Sequence, residues 1–292
     1  MSKKKTTAER LAETYAPTVF SRAAMLQGGG TGDDITRAVK AGLLLRLRRD
    51  HYAYPDVDPD VFQAVRVGGR MACLTLLQKL GVFVLKSVGP HIQLAPHMSR
   101  IRQPEVKSTV MHWSQRTLKE CPRHVVSIRD AVWQSVLCQE PRAAIATLDS
   151  VLHLRLATRE QLIELFTLLP ARLQALWQLV DGSAGSGPET YMRLILRTLG
   201  LQYETQVEIP GVGRVDFVVE GWLIIECDSK EFHEEWEQQV IDRSRDIAAA
   251  GLGYTTIRPI ASDILFDSPG VRQKISDVVE AFGPRLSRRR TA

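Results

Sequence analysis

The sequence predicts a multidomain α/β protein, and three observations carry that prediction. After Gly42 the apolar spacing changes from helical to alternating. Leucine and alanine then recur at three- and four-residue spacing in the stretch that begins at residue 127. From residue 187 the pattern runs helix, three strands, helix, strand. A chain of 292 residues, 44% hydrophobic and 24% charged, can bury two or three cores of ordinary size. No apolar run reaches the roughly 18 residues of a membrane span, and no apolar segment follows the basic start MSKKKTTAER as a signal peptide would require. These features read as a cytoplasmic protein with no membrane partner.

The first domain is read as residues 1–54. After the amphipathic stretch 6-TTAERLAETYA-16, Ser21 is expected to cap a short helix RAAMLQ. The turn GGGTG follows, and Asp33 or Asp34 is expected to cap a second helix that stops at Gly42. LLLRLRRDHYAY then alternates apolar and basic residues around an Arg-Asp turn, the pattern of a small hairpin. Two short helices, a glycine turn and a hairpin make a winged helix-turn-helix. The net charge is +5, and between Arg37 and Arg49 the chain carries basic residues with no acid. Arg37 and Lys40, at i and i+3 on the second helix, are expected in the major groove of double-stranded DNA. Arg46, Arg48 and Arg49 on the wing are expected on phosphates. The structural alternative is a helical hairpin with a charged surface.

Residues 55–186 read as a connecting domain, mixed α/β around MACLTLLQKLGV and HIQLAP, then helical. The helical part comprises 127-SIRDAVWQSVLC-138, PRAAIATLDSVLHLRL and a helix opened by a Thr158/Gln161 capping box. Cys73, Cys121, Cys138 and Cys227 show no C-x-x-C spacing and no histidine pair at zinc-ligand spacing, so neither a disulfide framework nor a zinc site is expected. His112, Trp113, His124 and Trp133 form no constellation tied to chemistry.

The Gly/Ser-rich segment 181-DGSAGSGPE-189 marks a hinge or boundary, and the third domain is read as residues 187–292 with a basic tail RLSRRRTA. Pro188 suits the first helical turn and Gly200 the stop; strands YETQVEI, RVDFVV and WLIIECD, a charged helix from about Glu234 to Ala250 and a strand YTTIRP follow.

In 214-RVDFVVEGWLIIECDSKEFH-233, acids interrupt residues that otherwise favour burial. Isolated carboxylates at the edge of a core are costly unless paired or bound to a metal. With a strict two-residue Glu220-Gly221 loop, Asp216 would pair with Ile225 and Glu226 would face the other way. An odd loop or one bulge sets Asp216 opposite Glu226, with Asp228 farther along the same face. Asp216, Glu226 and Asp228 would then suit Mg²⁺ or Mn²⁺, which activates water and neutralises a phosphodiester. Glu189 would supply a further carboxylate, and Lys230 and His233 are placed to contact a phosphate or move a proton.

Val215-Asp216, the Glu226-Cys227-Asp228 run, Phe232-His233, Asp242-Arg243, Gly251 and a strand ending in Arg258 together resemble the very-short-patch-repair-like branch of the PD-(D/E)XK nuclease superfamily over roughly residues 187 to 265. The resemblance implies a restriction-endonuclease-like mixed sheet with flanking helices and catalytic residues Glu189, Asp216 and Glu226. The family's lysine two positions after the strand acid is here Asp228, and the glycine that often follows is Ser229; Lys230 would act in that lysine's place by reaching back. VFSRAAML and LLRLRRDHYAYP are similar to the winged-helix domain of AbiEi-type antitoxins and regulators, which implies DNA binding. Two functions are therefore expected. One is a DNA-binding protein with a Mg²⁺- or Mn²⁺-dependent endonuclease-like domain. The other is a non-catalytic repressor or antitoxin that uses the nuclease-like fold as a DNA-binding scaffold.

Overall fold

The computed structural model describes residues 19–114, 124–227 and 236–290. The stretch 6–16, Cys121, Asp228, Lys230, His233 and the last residues of the basic tail lie outside the described residues or their described side chains. The protein is mixed α/β, with three sheets among the described residues. It divides into two compact units, residues 1–139 with 156–174, and residues 140–155 with 175–292. Among the described residues no helix is long and apolar enough to cross a membrane.

The first unit opens with β1 (Val19–Ser21), α1 (Arg22–Gln27), α2 (Gly32–Lys40), β2 (Leu45–Arg48) and β3 (His51–Ala53). Ser21 caps α1 as expected, its hydroxyl accepting from the Ala24 N–H at 3.1 Å. The cap of α2 is Thr31, which corrects the expectation of Asp33 or Asp34. Asp34 instead closes a capping box, accepting from the Thr31 N–H at 2.9 Å. The hairpin turns at Arg49-Asp50, where Asp50 adopts φ 62°, and β1 adds to it to give the antiparallel order β1-β3-β2. A bulge between Arg46 and Arg48 turns Leu47 into the core.

The unit continues with α3 (Pro59–Val67), β4 (Arg70–Met71), α4 (Cys73–Lys79), β5 (His91–Leu94), β6 (Val110–Trp113) and α5 (Ile128–Cys138). β5 is central, antiparallel to β4 and parallel to β6, and α4 packs on α5. Leu74, Leu76, Leu77, Ile92, Val132 and Val136 are buried here. The next helix, α6 (Pro141–His153), belongs to the second unit, whereas α7 (Arg159–Thr167), with its Thr158/Gln161 capping box, and α8 (Ala171–Gln174) return to the first.

The second unit comprises α6, a 3-10 turn Ala175–Leu179, α9 (Gly187–Leu199), β7 (Tyr203–Ile209), β8 (Gly213–Val219), β9 (Leu223–Ile225), α10 (Trp236–Gly251), β10 (Thr255–Ile257), α11 (Ala261–Phe266) and α12 (Ser268–Arg290). Pro188 sits in the first turn of α9, and Gly200 ends it at φ 70°, a conformation that glycine adopts without a Cβ penalty. The sheet is mixed, in the order β10-β9-β8-β7, antiparallel except where β10 runs parallel to β9. Val215, Val218, Ile224 and Ala249 are buried in one cluster between sheet and helix, and α9 packs on α6 and α12.

Candidate functional site

The connection between β8 and β9 decides where the acids lie. Val219 pairs with Leu223, Val218 with Ile224 and Phe217 with Ile225, so three residues, Glu220, Gly221 and Trp222, form the loop. Glu220 and Gly221 take φ 51° and 70°. Glu220 is held there by two bonds with Gln202: its Oε1 accepts from the Gln202 N–H at 2.7 Å, and its own N–H donates to the Gln202 carbonyl at 2.9 Å. Extending this odd-loop register by one residue sets Asp216 opposite Glu226, on one face by strand alternation. One residue past the end of β9, the Glu226 N–H donates to the Ile257 carbonyl at 3.1 Å.

Glu189 reaches the same neighbourhood from the first turn of α9. Its N–H donates to the Ser186 cap, and its Oε2 accepts from the Gly185 N–H at 2.8 Å. Gln206 links it to the sheet. The Gln206 Nε2 donates to Glu189 Oε2 at 2.8 Å and to Asp216 Oδ1 at 3.3 Å, while Asp216 Oδ2 accepts from the Cys227 N–H at 2.9 Å. Gln206 lies between the Thr205↔Phe217 and Val207↔Val215 pairs and takes φ 53°, a left-handed conformation that costs a non-glycine residue of order 1 kcal/mol or more. Sequence reading missed it. A lone amide in YETQVEI carries no signal until its neighbours across the sheet are known.

Glu226 is held differently. Arg245 Nη2 lies 3.2 Å from its Oε1 and Arg258 Nη1 lies 3.0 Å from its Oε2. Arg258 also pairs with Asp246 at 2.7 Å, and Arg245 donates to the Val212 and Arg214 carbonyls. Burial raises the Glu226 carboxyl above the ordinary range despite both guanidinium groups. Burial, then the charge of Asp216, raises Glu189. The buried Cys227 thiol is pushed up by burial and then by Asp216, Glu189 and Glu226, so the fields of all three acids converge on it.

Carboxylate oxygens are the donors that Mg²⁺ and Mn²⁺ take, and among the described residues the hydrogen bonds to Glu189 and Asp216 come from neutral donors. Glu189 and Asp216 are thus the two carboxylates that could take a cation, whereas both oxygens of Glu226 are already paired with guanidinium groups. Asp228 and Lys230, the remaining expected members, lie outside the described residues.

In the first unit, Arg37, Lys40, Arg46 and Arg49 are exposed, and Arg37 forms an ion pair with Asp34 one turn back on α2. Arg48 is half-buried, and its guanidinium fills the space that a Cβ on Gly68 would need.

His112, expected to belong to no constellation, stands in one. Among the described residues, the one group of three or more candidate metal ligands in mutual reach is Cys73, His91, His112 and Cys138, whose donor atoms all lie within 4.8 Å of one another. Hydrogen bonding with Cys73, then His112 and His91, pulls the Cys138 thiol below the ordinary thiol range, while burial and then Cys138 push Cys73 up. In sequence these four residues stand 18 or more positions apart, which leaves no local spacing to detect.

No family model matches the chain, and no curated protein matches it.

Proposed function

We propose that the protein binds double-stranded DNA through an N-terminal winged helix-turn-helix and hydrolyses DNA phosphodiesters at a Mg²⁺- or Mn²⁺-dependent endonuclease-like site in its C-terminal domain. The observation that carries the reading is the placement of Glu189, Asp216 and Glu226 in one neighbourhood. Gln206 ties the first two together, and the three-residue loop sets the third opposite the second. Glu189 and Asp216 would hold the cation, with Gln206 fixing their separation. Glu226 would orient the water or the ion, steadied by Arg245 and Arg258. A bound divalent cation would supply activated water and neutralise the phosphodiester. Lys230, with Asp228 nearby in sequence, would contact the phosphate. Arg37 and Lys40 on α2 would enter the major groove, and Arg46, Arg48 and Arg49 on the hairpin would meet phosphates.

The second reading, a repressor or antitoxin without cleavage, is favoured by the two arginines that already occupy Glu226. One experiment separates the two. Purified protein shown to bind duplex DNA is incubated with that DNA in Mg²⁺ and in Mn²⁺. The nuclease reading expects cleavage that Asp216→Ala abolishes, with binding kept or improved because repulsive charge is removed. Tight binding with uncut DNA in both metals establishes the regulator instead.

A further inference from the structure

We propose that Cys73, His91, His112 and Cys138 hold one structural Zn²⁺ in the first unit, a site independent of the carboxylates in the second. The backbone brings the four together from separate elements. β4 pairs with β5 so that the Ala72 N–H donates to the His91 carbonyl at 2.9 Å, which delivers Cys73 beside His91. The His91 N–H in turn donates to Thr75 Oγ1 of α4 at 2.8 Å. β5 and β6 run parallel with His91 opposite Val110 and Gln93 opposite His112, so the two imidazoles stand on one face, two register positions apart. Cys138 ends α5, which packs on α4.

Two spacings of the donor atoms lie within about 0.3 Å of those around a tetrahedral zinc ion, and all four donors lie within 4.8 Å of one another. Zn–S bonds of about 2.3 Å and Zn–N bonds of about 2.05 Å place two nitrogens about 3.3 Å apart, and a nitrogen and a sulfur about 3.6 Å apart. His91 Nδ1 lies 3.0 Å from His112 Nε2, and Cys138 Sγ lies 3.7 Å from His91 Nδ1. Two thiolates and two neutral imidazoles around a dication sum to zero charge, which suits a site where Cys73 and His91 are buried. Without an ion, two thiols and two imidazoles crowd one small volume. Cys73 also sits at φ 49°, a left-handed conformation unfavourable for a side chain with a Cβ. Four protein ligands leave no open position, so the ion would pin α4, β5, β6 and the end of α5 together and perform no hydrolysis. His112 is partly exposed and Cys138 exposed, which gives chelators a path to it.

The test is the metal content of the full chain, expressed with zinc supplied and purified without a histidine tag. One equivalent of zinc per chain is expected. Removing it with a chelator should lower the melting temperature, and Co²⁺ should replace it with the thiolate charge-transfer and visible d–d bands of a tetrahedral site. His112→Ala and Cys138→Ser, at the exposed side of the cluster, should each lose most of the zinc, whereas Asp216→Ala should keep all of it whether or not the nuclease reading holds. The proposal is overturned by reduced wild-type protein that carries no stoichiometric zinc and binds no Co²⁺, or by a Cys73–Cys138 disulfide found by mass in the protein as it is isolated from the cytoplasm of the expressing cell.

Discussion

Arg193 of α9 and Asp149 of α6 form an ion pair of 2.7 Å with both side chains about 1% exposed. The same carboxylate accepts from Thr190 Oγ1 at 2.9 Å and from the Asp181 N–H at 2.9 Å, so the Gly/Ser-rich segment is tethered at its start to the helix pair. Breaking one member of a buried pair strands the other charge away from water. Arg193→Met should therefore cost about 3–5 kcal/mol, read from urea denaturation. Adding Asp149→Asn should recover part of that loss, because an amide oxygen still accepts the backbone bonds.

Gln206 offers a way to separate strain from function. Gln206→Gly relieves the left-handed backbone and removes the side chain, whereas Gln206→Ala removes the bridge and keeps the strain. Gln206→Gly should be the more stable of the two by about 1 kcal/mol. If the nuclease reading is right, both should lose cleavage by about tenfold or more, the effect of a lost charge-assisted hydrogen bond. Equal stability of the two variants would remove the strain assignment.

Stability should depend on pH through Glu189. Its folded-state carboxyl is raised, by burial first and the Asp216 charge second, so the folded protein binds the proton more tightly than the unfolded chain. Stability from this group therefore falls as pH rises from the ordinary carboxylate range of about 4.3 through the raised folded value. Glu189→Gln should raise the melting temperature at neutral pH without added divalent cation, and the gain should vanish near pH 4. A melting temperature unchanged at neutral pH would contradict the electrostatic account.

On the DNA-binding reading, the exposed wing residues carry sequence-independent affinity. Arg46→Glu with Arg49→Glu should weaken binding to every duplex tested and reduce the salt slope by roughly one for each phosphate that is no longer neutralised. Arg37→Ala should in addition change sequence preference. Arg48→Glu should also destabilise the fold, since its guanidinium packs against Gly68. Unaltered affinity and slope in the double variant would refute the placement of the wing on DNA.

Elements set by local chemistry were legible in the sequence. Ser21, the Thr158/Gln161 box, Pro188 with Gly200, and the Arg49-Asp50 turn each act within a few residues, so residue type and spacing suffice to place them. Thr31 was missed as a cap because two aspartates behind it carry the same local signal, and only the turn geometry chooses among them. The carboxylates were legible as a puzzle but not as an arrangement: one residue more or less in the 219–223 loop moves Glu226 to the opposite face, and only the folded strands, with Glu220 bonded to Gln202, show which register is taken. Gln206, Arg245 and Arg258 act on the acids across strands and from a helix, at separations where sequence alone has no preferred pairing. Cys73, His91, His112 and Cys138 were legible only as four scattered residues. A helix start, two neighbouring parallel strands and a helix end bring them together, because strand register and helix packing, unlike capping, are decided by the whole unit at once.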